Sequence, residues 1–134
     1  MREILFRGKR IGSEEWVEGF YLTSPEFDNQ EVAVITTDKP RNPYYVSKET
    51  IGQYTGLTDK NGTKIFEGDI VKTDKFSEPN KQYIIKFDLQ FGAFIGQDKY
   101  NMYFVTFDGD SDQFEIIGNI HDNPELLKES EQNG

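Results

Sequence analysis

The sequence predicts a mostly β protein. Antiparallel strands should form a small SH3-like barrel or a compact sandwich, with an N-terminal β-hairpin sheet and a short C-terminal helix. Three observations predict this. The 134 residues include 11 Phe and 7 Tyr, and aromatic and β-branched side chains suit pleated, half-buried surfaces. Apolar and polar residues alternate in short runs, which is the strand period. Turn residues separate the runs, most clearly at Asn61-Gly62 and at Glu67-Gly68-Asp69.

Residues 3–7 alternate, with Ile4 and Phe6 on one face and Leu5 on the other. Residues 16–22 put Trp16, Glu18, Phe20 and Leu22 on one side and Val17, Gly19 and Tyr21 on the other, and Glu18 breaks the first set as a buried face. The two runs read as a hairpin. Residues 23–30 are a loop, 31–37 a strand, and Pro40 and Pro43 break it. Tyr44-Tyr45-Val46 reads as a short edge strand, and 47–50 as one helical turn. Residues 73–81 form a polar loop. Strands follow over 82–88, 93–97, 100–107 and 114–120. Asp122-Asn123-Pro124-Glu125 then opens a helix: an Asx cap, a proline in the first turn and an acid beside it agree.

Residues 51–72, IGQYTGLTDKNGTKIFEGDIVK, organise the rest. Asn-Gly between apolar runs predicts a type I′ hairpin turn, which needs positive φ at both central residues. Gly68 permits a tight turn before Ile70-Val71, and the Asp69 carboxylate can accept nearby backbone N–H groups. The stretch predicts strand, hairpin, strand, tight turn, strand.

The same stretch resembles the signature of the YopX family, small proteins encoded by bacteriophages and prophages. Its carriers are Gly52, Gln53, Tyr54 and Gly56, then Asn61 and Gly62, then Gly68 and Asp69. The opening REILFR with Trp16-Val17-Glu18-Gly19, and the closing IGNI with Asn123-Pro124-Glu125-Leu126-Leu127, are similar to the family's ends. The resemblance spans residues 1–127 and implies a β-rich fold. It carries over no catalytic residues and points to no particular biochemical activity. Length predicts one domain over 1–127; strand spacing divides it into an N-terminal β lobe at 1–50 and a β-barrel lobe at 51–127, and the polar tail at 128–134 should fray.

Composition narrows the function classes. Cysteine is absent, which removes disulfides, thiol nucleophiles and thiolate metal sites. No apolar run reaches the ~18–20 residues of a membrane helix, and no apolar leader segment follows the basic N-terminus. A cytoplasmic protein of the bacterial host is expected. The net charge is −9; residues 1–72 hold 10 Lys/Arg and 12 Asp/Glu, and 73–134 hold 5 and 12. The acidic second half opposes the phosphate backbone, so nucleic acid is not expected as a partner.

Four candidate sites remain. Asp108, Asp110 and Asp112 with Glu115 offer hard-cation oxygens, but the sixth position is Gln113, the twelfth Asn119 and no helices flank them, so a solvated turn is preferred. His121, the only histidine, lacks a ligand or base partner at any recognised spacing. Asp69 with Glu67 reads as turn chemistry rather than acid–base catalysis. Arg7, Lys9, Tyr44 and Tyr45 form a basic and aromatic interaction surface, with Arg2, Arg10 and Arg41 near it. No phosphate-binding glycine motif occurs and no cofactor is expected. The reading is an accessory protein acting by protein binding, to a host or phage protein or to itself as a homo-oligomer. The alternatives are a small metal-assisted hydrolase using Asp69, Asp108, Asp110 or His121, and nucleic-acid binding by the N-terminal basic face.

Overall fold

The computed structural model describes residues 4–22, 32–37, 43–73, 81–98, 103–105 and 113–126. The expected loop at 23–30, the triad Asp108, Asp110 and Asp112, and the tail at 128–134 lie outside them. So does the middle of the loop expected at 73–81, whose end residues Thr73 and Lys81 belong instead to strands. Two compact units divide the chain, Met1–Tyr54 and Thr55–Gly134.

The first unit holds β1 (Phe6–Lys9), β2 (Trp16–Leu22), β3 (Val32–Thr36), β4 (Tyr44–Ser47), a 3₁₀ turn at Lys48–Thr50 and the start of β5 (Gly52–Thr58). Their order is β4-β3-β2-β1-β5, all antiparallel where registered. One face is dry. Ala33, Ile35 and Val46 are buried there, with Phe6, Val17, Tyr21, Tyr44 and Ile51 packed against them. Two glycines let the sheet close up. A methyl on Gly8 would sit 2.9 Å from Val46 Cγ2, and one on Gly19 would sit 2.3 Å from the Thr36 carbonyl. A single bridge, Arg10 to Val46, draws β1 toward β4.

Strand β1 differs from the sequence reading in place and in neighbours. It starts at Phe6, so Ile4 does not share the buried face and is exposed. It lies between β2 and β5, with Phe6 opposite both Gly19 and Gln53. The Tyr54 N–H donates to the Leu5 carbonyl at 2.8 Å, extending that pairing. The strand near the chain start is therefore internal, because β5 returns from far along the sequence to cover its second edge.

The second unit continues β5 and adds β6 (Lys64–Phe66), β7 (Asp69–Thr73), β8 (Lys81–Asp88), β9 (Ala93–Gln97), β10 (Tyr103–Val105) and β11 (Phe114–Asn119). Strand β6 pairs with β5, and the other five form an open sheet in the order β10-β9-β8-β7-β11. Leu57 and Ile65, from the β5–β6 hairpin, join Val71, Tyr83, Ile85, Phe94, Phe114 and Ile116 in one core. This is a compact sandwich, and no barrel closes among the described strands. Each fully buried side chain of this set contributes about 1.5–3 kcal/mol. Residues 124–126 are helical after Asn123, where the sequence opens its helix.

The Asn-Gly turn forms, but not as type I′. Gly62 has φ +82°, whereas Asn61 keeps a negative φ. The Gly62 N–H donates to the Asp59 carbonyl at 3.0 Å. That is a type I turn followed by a left-handed glycine, the three-residue solution to a hairpin. Asp59 supplies the reason. Its Oδ1 accepts the Asn61 and Thr63 N–H groups at 2.9 and 3.0 Å, and its Oδ2 accepts the Ile116 N–H at 3.0 Å. The Lys60 N–H donates to the Phe114 carbonyl at 2.9 Å. The turn thus caps one edge of β11, and a carboxylate that serves three donors outweighs the local preference of Asn-Gly.

Candidate interaction surface

The register of the first unit sorts its side chains by face. Arg7 lies opposite Glu18, Lys9 opposite Trp16, Leu22 opposite Val34, and Val34 opposite Tyr45. Directly paired residues share a face, and so do residues two apart on a strand. The face away from the core therefore carries Arg7, Lys9, Trp16, Glu18, Phe20, Leu22 and Tyr45. Phe20 is 56 % exposed, Leu22 47 % and Tyr45 46 %, and Val34 between them is buried.

Beside this apolar row stands a cation–aromatic stack. The Arg7 guanidinium carbon is 4.6 Å from the Trp16 ring centroid and the Lys9 ammonium 5.8 Å. Each such contact is worth about 0.5–1 kcal/mol when exposed, and together they fix the indole on the sheet. The backbone beneath is held too. The Lys9 N–H donates to Thr50 Oγ1 at 2.9 Å, and that hydroxyl donates to the Ser47 carbonyl at 2.6 Å.

Of the nominated residues, Arg7, Lys9 and Tyr45 share this outer face. Tyr44 does not. It lies opposite Ile35 and packs toward the core, where Arg10 sits 4.9 Å from its ring centroid. Arg10 also lies 3.6 Å from a Glu15 carboxylate oxygen. Trp16, Phe20 and Leu22 join them on this face, beyond the residues the sequence singles out. The signal was present: Glu18 marks their side of β2 as the wet one.

The second unit presents a separate apolar tip. The β8–β9 connection places Leu89 at 90 % exposure, with Phe87 and Phe91 also exposed. Asp88 Oδ1 accepts the Gln90 and Phe91 N–H groups at 2.8 and 3.1 Å, and Phe87 meets buried Phe94 edge-on at 5.1 Å.

Of the hydrolase alternative, Asp69 and His121 fall among the described residues, and Asp108 and Asp110 lie outside them. Asp69 is 2 % exposed, and its Oδ2 accepts the Phe66 N–H at 2.8 Å across the Glu67-Gly68 turn. Gly68 has φ +89° and links the turn to both neighbours: its N–H donates to the Ile85 carbonyl at 2.8 Å, and its carbonyl accepts the Ile120 N–H at 2.9 Å. His121 follows β11, and its N–H donates to Asn119 Oδ1 at 2.9 Å. Asn123 closes that corner by accepting the Asn119 N–H at 3.1 Å. Glu115 lies 3.3 Å from the Lys72 ammonium and 3.9 Å from that of Lys60. Among the described residues no three His, Cys, Asp or Glu side chains gather to hold a metal ion, and no helix is long and apolar enough to cross a membrane.

These features define a class: a small, mostly β protein of two antiparallel units. The family model for the YopX protein matches residues 5–128. The chain belongs to the YopX family. It is also similar to a solved structure, the protein EF1440 from Enterococcus faecalis, at 26% identity and a TM-score of 0.61. That match covers 95% of this chain and 99% of the other. Comparison with curated proteins finds no match.

Proposed function

We propose that this YopX-family chain is a phage- or prophage-encoded accessory protein that acts by binding protein in the cytoplasm of a bacterial host. A second copy of itself is the first partner proposed, and a host or phage protein the next. One observation carries the reading, the outer face of the N-terminal sheet. There Phe20, Leu22 and Tyr45 lie exposed beside the Arg7–Trp16–Lys9 stack. Exposed apolar side chains gathered on a rigid face favour interaction surfaces, and aromatic residues and arginine are enriched at interface cores. The resemblance of residues 51–72 to a phage and prophage family supports the origin.

Light scattering at micromolar concentration tests self-association. The expected mass exceeds one 15.5 kDa chain and falls to one chain in Phe20→Lys and Leu22→Lys. A single-chain mass for the unmodified protein ends the self-association reading. Phe6→Lys is a poor probe, because the Phe6 ring packs on Tyr21 at 5.7 Å within the core. Affinity capture from the bacterial host then tests the second partner class. Capture that survives both substitutions would count against this face.

A further inference from the structure

We propose that Asn61 is a covalent modification site. Its side-chain amide converts to aspartate and isoaspartate through a succinimide, and the Asp59 turn restrains the reaction while it stays closed. The site combines two properties. Asn61, Gly62 and Thr63 are exposed, so water and base reach them. Gly62 has no side chain to hinder its own backbone nitrogen.

The chemistry balances without an oxidant or a cofactor. The Gly62 nitrogen bonds to Asn61 Cγ, and the Cγ–Nδ2 bond breaks. The proton from the Gly62 nitrogen leaves with the departing group as ammonia. Water then adds to either carbonyl of the five-membered ring. One product is aspartate; the other carries the main chain through the side-chain carbon, as isoaspartate. One amide and one water become one carboxylic acid and one ammonia.

The turn opposes the first step. The attacking nitrogen is the one whose proton is held by the Asp59 carbonyl at 3.0 Å. Asp59 Oδ1 holds the N–H groups of Asn61 and Thr63 on either side, and the Asp59 N–H donates to the Thr63 carbonyl at 2.8 Å. Turning the Gly62 nitrogen toward Asn61 Cγ breaks this set. The product also matters to the fold. Isoaspartate lengthens the main chain inside a turn that must place Lys60 against Phe114 and Asp59 against Ile116. Those contacts cap β11, and an uncapped strand edge is a template for pairing with another chain.

The test follows Asn61 conversion by peptide mass spectrometry in mildly alkaline buffer, in the folded protein and in the same protein unfolded by urea. Conversion in the folded state is expected to be at least about tenfold slower, since opening the turn costs more than one hydrogen bond. Asp59→Ala that remains folded by circular dichroism should lose most of that protection, and Asn61→Gln should abolish the signal. Equal rates in folded and unfolded protein overturn the restraint, and they do so even if Asp59→Ala fails to fold. Absence of conversion in urea overturns the site itself. Undiminished amide-exchange protection at Ile116 in converted protein overturns the link to β11.

Discussion

Asp59→Ala should destabilise the second unit by about 3 kcal/mol, and the structure apportions that figure. The carboxylate is 5 % exposed and accepts three N–H groups. Two of them, on Asn61 and Thr63, are part-buried like the third but come from exposed residues, so water replaces the acceptor and each bond costs about 0.5–1 kcal/mol. The third, on Ile116, is part-buried and lies 57 residues away. Left without its acceptor it costs about 1–3 kcal/mol. Asp59→Asn keeps one acceptor oxygen but turns an amide N–H toward Ile116, so it should cost about 2 kcal/mol. Asp88→Ala is the control. Its turn is capped in the same way by Oδ1, at Gln90 and Phe91, and both bonds are exposed. It should cost about 1 kcal/mol. Urea unfolding followed by far-ultraviolet circular dichroism measures all three. With a slope of about 1–3 kcal/mol per molar, Asp59→Ala should lower the midpoint by about 1–3 M. If Asp59→Ala and Asp88→Ala shift the midpoint equally, the long-range bond to Ile116 contributes nothing and the reasoning fails.

Gly19→Ala should cost about 3 kcal/mol, because its methyl would lie 2.3 Å from the Thr36 carbonyl and force β2 from β3; a thermal melt matching that of the unmodified protein contradicts this. Millimolar calcium should leave the melting temperature unchanged, since Glu115 is already paired with Lys72 at 3.3 Å; a rise of several degrees that disappears in Asp110→Asn would restore the cation reading. Neither duplex nor single-stranded DNA should bind at physiological salt, given the net charge of −9. Micromolar binding with a steep salt dependence, lost in Arg7→Glu, would overturn that expectation.

The sequence by itself determined the places where the chain runs straight and where it turns. Trp16–Leu22 and Ala93–Gln97 are strands at the bounds their alternation predicts, and the turns at 59–63 and 67–68 fall on their Asn-Gly and Glu-Gly-Asp signals. These features are legible because side-chain alternation and glycine conformation act between near neighbours. Asp69 was legible as a turn residue for the same reason. Part of the outer face could also be read, since Glu18 marks the wet side of β2; Lys9 was not legible as part of a strand, because the alternation runs over 3–7 whereas β1 covers Phe6–Lys9.

Only the tertiary structure decided what those elements meet. Tyr44 and Tyr45 are adjacent and chemically alike, yet one packs toward the core and the other is exposed, because the pairing of β4 with β3 sets the face. The hairpin turn became type I rather than type I′ because Asp59 reaches Ile116 from a distant strand. Strand β1 became internal because Gly52 and Gln53 pair with it from more than forty residues away. Each outcome depends on contacts between residues far apart in sequence, and local patterning does not encode which distant partner will arrive.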